Sequence, residues 1–233
     1  LSILLHRTAN GGEQLATDLQ QIVREVGAFI DLRGRRVMTV GSGGGQLVDY
    51  SLPARHVIAV DRDAAALERL AARLREGGYG ERFTLLHEDF PRVDERADVL
   101  IFEFCLHEIA EPGRALEHAA GLALDVVVLD HAPHSRWAWY AAEEVEMAAA
   151  WAAVEERPVR SWRAVDAEQS FVDYSELAAR LAAQPPLSRE RTLELEGRSP
   201  IVIPMPYRLA LLSAPRRGGA REQGAPSGHA PGG

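Results

Sequence analysis

The chain has 233 residues, 46% of them hydrophobic, and a formal net charge of −8. This suits one domain with a full core plus appendages, and the acidic balance weighs against gripping a nucleic-acid backbone, which needs a basic face. A single cysteine, Cys105, excludes an internal disulfide and a cysteine zinc cluster and fits a reducing, cytoplasmic setting.

Leu1-Ser2-Ile3-Leu4-Leu5-His6-Arg7 lacks the order of a signal peptide. No apolar run reaches the roughly 20 residues of a membrane helix, so no membrane partner is expected. Residues 13–32 predict an amphipathic helix with Leu15, Leu19, Ile22, Val23, Val26, Phe29 and Ile30 on one stripe. From Arg35 strand and helix alternate. Strands are expected at about 36–40, 56–60, 83–87, 98–103 and 125–130, with helices at 64–75, closed by Gly77-Gly78, and at about 113–122. The strands are rich in Val, Ile and Leu with little alternation, as where helices cover both faces. The rhythm predicts an α/β fold with a doubly wound parallel sheet and right-handed crossovers. Residues 136–183 break it. Two long helical stretches, 137–155 and 174–183, flank Pro158 and Trp162 and read as a lid or substrate insert over the carboxyl edge of the sheet. Two final strands are expected at 191–196 and about 201–212. Composition from Ala214 onward predicts a disordered tail. The expected organisation is an N-terminal helical segment (1–32), a main domain (33–213) and the tail (214–233).

The first strand runs into Gly41-Ser42-Gly43-Gly44-Gly45, and the second ends in Asp61. Glycines let the backbone turn sharply and approach a ligand closely, and a carboxylate at the next strand end can accept hydrogen bonds from ribose hydroxyls. A dinucleotide fingerprint, G-x-G-x-x-G, would need glycine where Gln46 or Val48 stands. No basic residue lies between Gly41 and Tyr50 to meet a phosphate. The bland alternatives are a plain tight turn at the glycines, a helix N-cap at Asp61 (for which Asp63 is better placed) and a surface turn at Asp89.

The G-x-G-x-G spacing of Gly41, Gly43 and Gly45, with Asp61 and the later His87-Glu88-Asp89-Phe90, resembles class I S-adenosylmethionine-dependent methyltransferases over residues 33–130. From there to about 212 the resemblance is architectural. It implies a seven-stranded Rossmann-like sheet with an antiparallel last strand and a helical insert after strand five. It also implies S-adenosylmethionine as cofactor, with the Gly41–Gly45 loop, Ser42 included, beside its methionine part. Asp61 would bind the ribose and Arg62 or Asp63 would lie near the adenine. Asp89 would accept from the adenine amino group, with Phe90 packed on the ring and Glu103 facing the methionine portion. Many members carry an acid two residues before the first glycine; here Thr39 stands there, which implies either weaker cofactor binding or compensation by another acid such as Glu103.

Strand four ends in Glu103-Phe104-Cys105-Leu106-His107-Glu108 and strand five in Asp130-His131-Ala132-Pro133-His134. Neighbouring strand ends converge on one crevice. Three readings of this acid and histidine set stay open: binding and deprotonating a methyl acceptor, with His107 or His131 as general base; holding a divalent metal, for which the spacing is loose; and structural capping. Glu108, His134, Trp137 and Tyr140 are the expected acceptor contacts, and the aromatics of the insert suit a cationic small molecule. Cys105 reads as a small buried hydrophobe. The expected reaction is in-line methyl transfer to a small-molecule acceptor, with no resident metal and no nucleic acid. A nicotinamide-dependent oxidoreductase and a non-catalytic cofactor-binding partner protein are the alternatives.

Overall fold

The structure, a computed structural model, describes residues 6–7, 13–14 and 18–213. The strands are β1 (Arg36–Val40), β2 (His56–Asp61), β3 (Phe83–His87), β4 (Ala97–Glu103), β5 (Ala123–His131), β6 (Val159–Val165), β7 (Glu168–Phe171), β8 (Ile201–Pro204) and β9 (Tyr207–Ser213). Seven form one sheet in the order β3-β2-β1-β4-β5-β9-β6. Strands β1 to β5 are mutually parallel, and β9 runs antiparallel between β5 and β6. The order reverses at β1 and β4, where a doubly wound sheet opens a crevice at its carboxyl edge.

Successive residues of each central strand feed opposite faces, so the strands bury both sides. Met38, Ile58, Leu100, Phe102 and Val126 pack on α3 (Pro112–Leu122) and α5 (Glu144–Glu155). Val37, Val57, Val99, Ile101 and Val127 pack on α1 (Leu19–Phe29). Helix α2 (Ala64–Glu76) covers the β2 side through Leu67, Leu70 and Leu74. Each such fully buried Leu, Ile or Phe contributes roughly 1.5–3 kcal/mol relative to exposure. Among the described residues no helix is long and apolar enough to cross a membrane.

Four expectations change. The first helix begins at Leu19, with Asp18 accepting from the Gln21 N–H as its N-cap; residues 13–14 instead pair with 6–7, and Leu15 lies outside the described residues. The stretch 137–155 is two helices, α4 (Arg136–Ala141) and α5, because Ala142 turns left-handed at φ 59° and redirects the chain. Residues 159–165 form the edge strand β6 of the main sheet rather than part of a cover. The strand expected at 191–196 is instead the end of helix α7 (Pro186–Thr192) and a turn, held to α5 by a two-pronged Arg191–Glu144 pair. The expected tail lies outside the described residues. What remains of the insert shares a small core with the segment that follows it. The two-stranded β7–β8 sheet, α4 and α6 (Tyr174–Arg180) gather Trp137, Phe171, Leu177, Ile201, Ile203 and Met205.

Candidate functional site

The Gly41–Gly45 loop crosses the carboxyl edge of β1 with Gly41, Gly43 and Gly45 all at positive φ. At Gly41 the demand is also spatial: a Cβ would stand 2.6 Å from the Cys105 Cβ. The loop is stitched to β2 by the Gly41 N–H on the Val60 carbonyl and by the Gly43 N–H on Asp61 Oδ2 at 2.7 Å. Asp61 Oδ1 accepts the Asp63 N–H at 2.9 Å, and Asp63, not Asp61, caps α2 through the Ala65 N–H. The Asp61 carboxylate is thus aimed by backbone donors and freed from capping. Thr39 and Ser42 satisfy each other at 2.8 Å inside the loop, so Ser42 acts as a brace.

A cavity of about 650 Å³ opens beside this loop, within the usual size of a small-molecule site. Gly41, Asp61, Arg62, Asp89, Phe90, Glu103 and Glu108 all line it, so most of the sequence-derived cofactor residues meet in one place. Phe90 is packed edge-on against Phe102 and His118, at 5.1 and 5.2 Å between ring centres, and forms fixed apolar wall. Glu108 is 3.2 Å from Arg62 across the mouth. Glu103 accepts the Tyr50 hydroxyl at 2.5 Å. Burial and the nearby Asp61 push its carboxyl up to about 8 against the opposing Tyr50 bond. Tyr50 comes from the loop between β1 and β2, where no pattern in the sequence marks it. The donor set fits an adenosyl amino acid: a buried carboxylate for a diol, an exposed one at Asp89 for a base edge, and a glycine wall that admits close approach.

Behind the cavity lies a second polar group. Phe104, at φ 49°, is strained for an aromatic residue. Its ring packs against His131, 4.9 Å between centres. His107 Nδ1 bonds Asp130 at 2.8 Å, and Nε2 is 3.7 Å from Glu143 Oε2. Burial opposes charge on His107, but Asp130, Glu143 and Glu108 outweigh it and raise the pKa to about 9. His131 is fully buried and pushed down to about 3, chiefly by that burial. His107 therefore keeps its proton and His131 never gains one at neutral pH, and neither lines the cavity. His107 clamps the turn Leu106–Glu108 to β5 through Asp130, and His131 lies in the core, so the two expected bases stand behind the cavity rather than on its wall. Glu143, missed in the sequence, is turned into this cluster by the break at Ala142 and held by Gln184.

The other expected acceptor contacts lie apart from the cavity. His134 lines a separate polar hollow with Asp18, Asp166 and Arg136. Trp137 is buried and stacked on Phe171, and Tyr140 bonds Glu194 at 2.5 Å. The faces expected to cage a cationic substrate already hold cations of the chain, with Arg136 and Arg191 lying 4.3 and 4.8 Å from the Trp139 ring centre. Among the described residues no group of three or more His, Cys, Asp or Glu is placed to hold a metal ion.

Residues 38–124 match a family described as a methyltransferase domain. Among solved structures, a candidate methyltransferase from Bacillus halodurans C-125 is similar over 84% of this chain and 99% of its own, with TM-score 0.61 and 15% identity. A SAM-dependent O-methyltransferase from Thermotoga maritima matches 91% of this chain and 78% of its own, with TM-score 0.54 and 13% identity. A candidate RNA methyltransferase from Pyrococcus horikoshii matches 84% and 82%, with TM-score 0.55 and 17% identity. At these identities the likeness is one of fold.

Proposed function

We propose that the chain, whose residues 38–124 match a family described as a methyltransferase domain, is a class I methyltransferase that transfers the methyl group of S-adenosylmethionine to a small-molecule acceptor. The observation that carries the reading is the meeting of Gly41, Asp61 and Asp89 on one cavity, with Asp61 pre-aimed by two backbone N–H groups.

When bound, S-adenosylmethionine supplies an electrophilic methyl on a positively charged sulfur. Asp61 would hold the ribose hydroxyls, Asp89 the adenine edge and the Gly41 wall the chain leading to the sulfur. Acids on the wall match the positive charge, and the buried Phe90 and Phe104 keep water from it. Fixing the two reactants in line supplies most of the acceleration, on the order of several kcal/mol.

The acidic chain favours a metabolite over a polynucleotide, although one structural neighbour is named as a candidate RNA methyltransferase. Calorimetric titration should show binding of S-adenosylmethionine and its demethylated product and none of reduced nicotinamide dinucleotide. Incubation with methyl-labelled cofactor, a metabolite extract and total RNA should place the label in the small-molecule fraction. Label in RNA would overturn the acceptor class, and failure to bind at millimolar ligand would overturn the cofactor.

A further inference from the structure

The cavity beside Gly41 and Asp61 has Arg62, Arg92 and Arg114 on its wall. Arg92 and Arg114 pair within their own segments, with Glu88 and Glu111. Arg62 pairs instead with Glu108, 46 residues on in the chain, at 3.2 Å. Arg62 directly follows β2, and Glu108 ends the turn after β4. In the sheet β2 and β4 stand on either side of β1. Adjacent strands are about 4.8 Å apart, so the pair reaches over a gap of roughly 10 Å. Beneath it lie the carboxyl end of β1 and the glycine loop, where a ligand of the cavity would sit.

The two ends of this bridge are unlike. The Arg62 side chain is 66% exposed and that of Glu108 only 17%. The Arg62 backbone is held, because His87 Nε2 donates to its carbonyl at 3.1 Å, so the side chain is the part that swings. Glu108 belongs to a turn pinned from below. The Cys105 thiol donates to the Val40 carbonyl, and His107 donates to Asp130 through both its backbone N–H and Nδ1. On its other side His107 Nε2 faces Glu143 at 3.7 Å.

We propose that Arg62 is a strap that closes on Glu108 over the bound cofactor and slows its release, and that His107 is the positioning residue that fixes Glu108 as the post. The proposal rests on the cofactor reading. No covalent bond changes; the strap adds retention. Glu143 starts the helix α5 of the insert, so the insert helps to fix the same post.

The test is surface plasmon resonance on the immobilised full chain, which gives both rates for S-adenosylmethionine and for its demethylated product. Arg62→Ala and Glu108→Gln should each raise the release rate about 2- to 5-fold, the range of a partly exposed ion pair, with the association rate changed less. The double variant should release no faster than Arg62→Ala alone. Raising the salt to roughly 1 M, where screening acts within about 3 Å, should speed release from the unsubstituted chain and leave both variants unmoved. His107→Gln should speed release when Glu108 is present and have no further effect in the Glu108→Gln background. Glu143→Gln, which leaves the Asp130 bonds in place, should act in the same direction and through Glu108 in the same way. Unchanged release in Arg62→Ala, or additive effects in the double variant, overturns the strap and spares the cofactor reading. Effects of His107→Gln and Glu143→Gln that persist without Glu108 overturn the positioning role. Failure of every adenosyl ligand to bind removes strap and cofactor reading together.

Discussion

Asp61 has both oxygens engaged before any ligand arrives, one by the Gly43 N–H and one by the Asp63 N–H. Each oxygen retains a further lone pair, so these bonds orient the carboxylate without using it up. Asp61→Ala leaves two donors without a partner and removes the proposed contact to the ribose diol. The expected outcome is cofactor binding weaker by about 1–3 kcal/mol, read by calorimetry. Gly41 answers to geometry alone. At φ 77°, with the Cys105 Cβ 2.6 Å from where its own would stand, it tolerates no side chain. Gly41→Ala should lower the urea unfolding free energy by about 1–2 kcal/mol from the left-handed conformation alone. It should also abolish cofactor binding, because relief of the contact moves the wall formed by Cys105. Binding that survives in Gly41→Ala would mean the loop is not part of the site.

At the level of elements, the break between α4 and α5 does most to shape the region over the sheet. Ala142 is left-handed at φ 59°, and the two helices part there so that Glu143 faces His107. Ala142→Gly should raise the unfolding free energy by up to about 1 kcal/mol, since glycine adopts this conformation without the Cβ penalty. That corresponds to roughly 2–4 °C in melting temperature for a chain of this size. An unchanged or lower melting temperature would show that the turn is not strained. This break was not legible in the sequence, because an alanine in a run of good helix formers carries no stop signal. The five parallel strands were legible as largely continuous apolar runs, which the central ones owe to burial on both faces while β3 is an edge strand. The segment 191–196 misled because Leu193 and Leu195 alternate as a strand would, while Pro186 at the first turn starts a helix that runs into it. Strand β6 was hidden for a related reason: Val159–Val165 is a largely exposed edge strand, and its partner β9 lies more than forty residues on. The glycines and acids of the cavity stood out as strand-end residues, whereas Tyr50 and Glu143 depend on tertiary placement.

Across the whole molecule, several buried groups titrate away from their ordinary values, and together they set the pH range of stability. Glu103 rises from 4.5 to about 8, so between those values the folded chain holds a proton the unfolded chain has lost, and stability falls as pH rises. His107 rises from 6.5 to about 9, so its contribution is complete below 6.5 and lost as pH climbs through 9. His131 falls from 6.5 to about 3, so the unfolded chain takes up a proton the fold refuses, and stability is lost as pH drops through that window. Asp130, held below its usual range by His107 against the cost of burial, loses its contribution at the acid end as well. Above 6.5 Glu103 and His107 both act downward, and below 4.5 His131 and Asp130 do. Between the two, Glu103 and His131 oppose each other, which places the maximum within about pH 4.5–6.5. The net charge of −8 adds a general repulsion at high pH, but salt screens that and leaves buried groups largely untouched. Urea midpoints measured in 0.5 M salt (about a fivefold excess over the roughly 0.1 M at which screening already reaches 10 Å) should therefore still fall from pH 6.5 to pH 9. Glu103→Gln should flatten the part of that fall below 8, and His107→Gln the part between 6.5 and 9. A midpoint that stays level across this range in the unsubstituted chain would mean that neither proton is held by the fold.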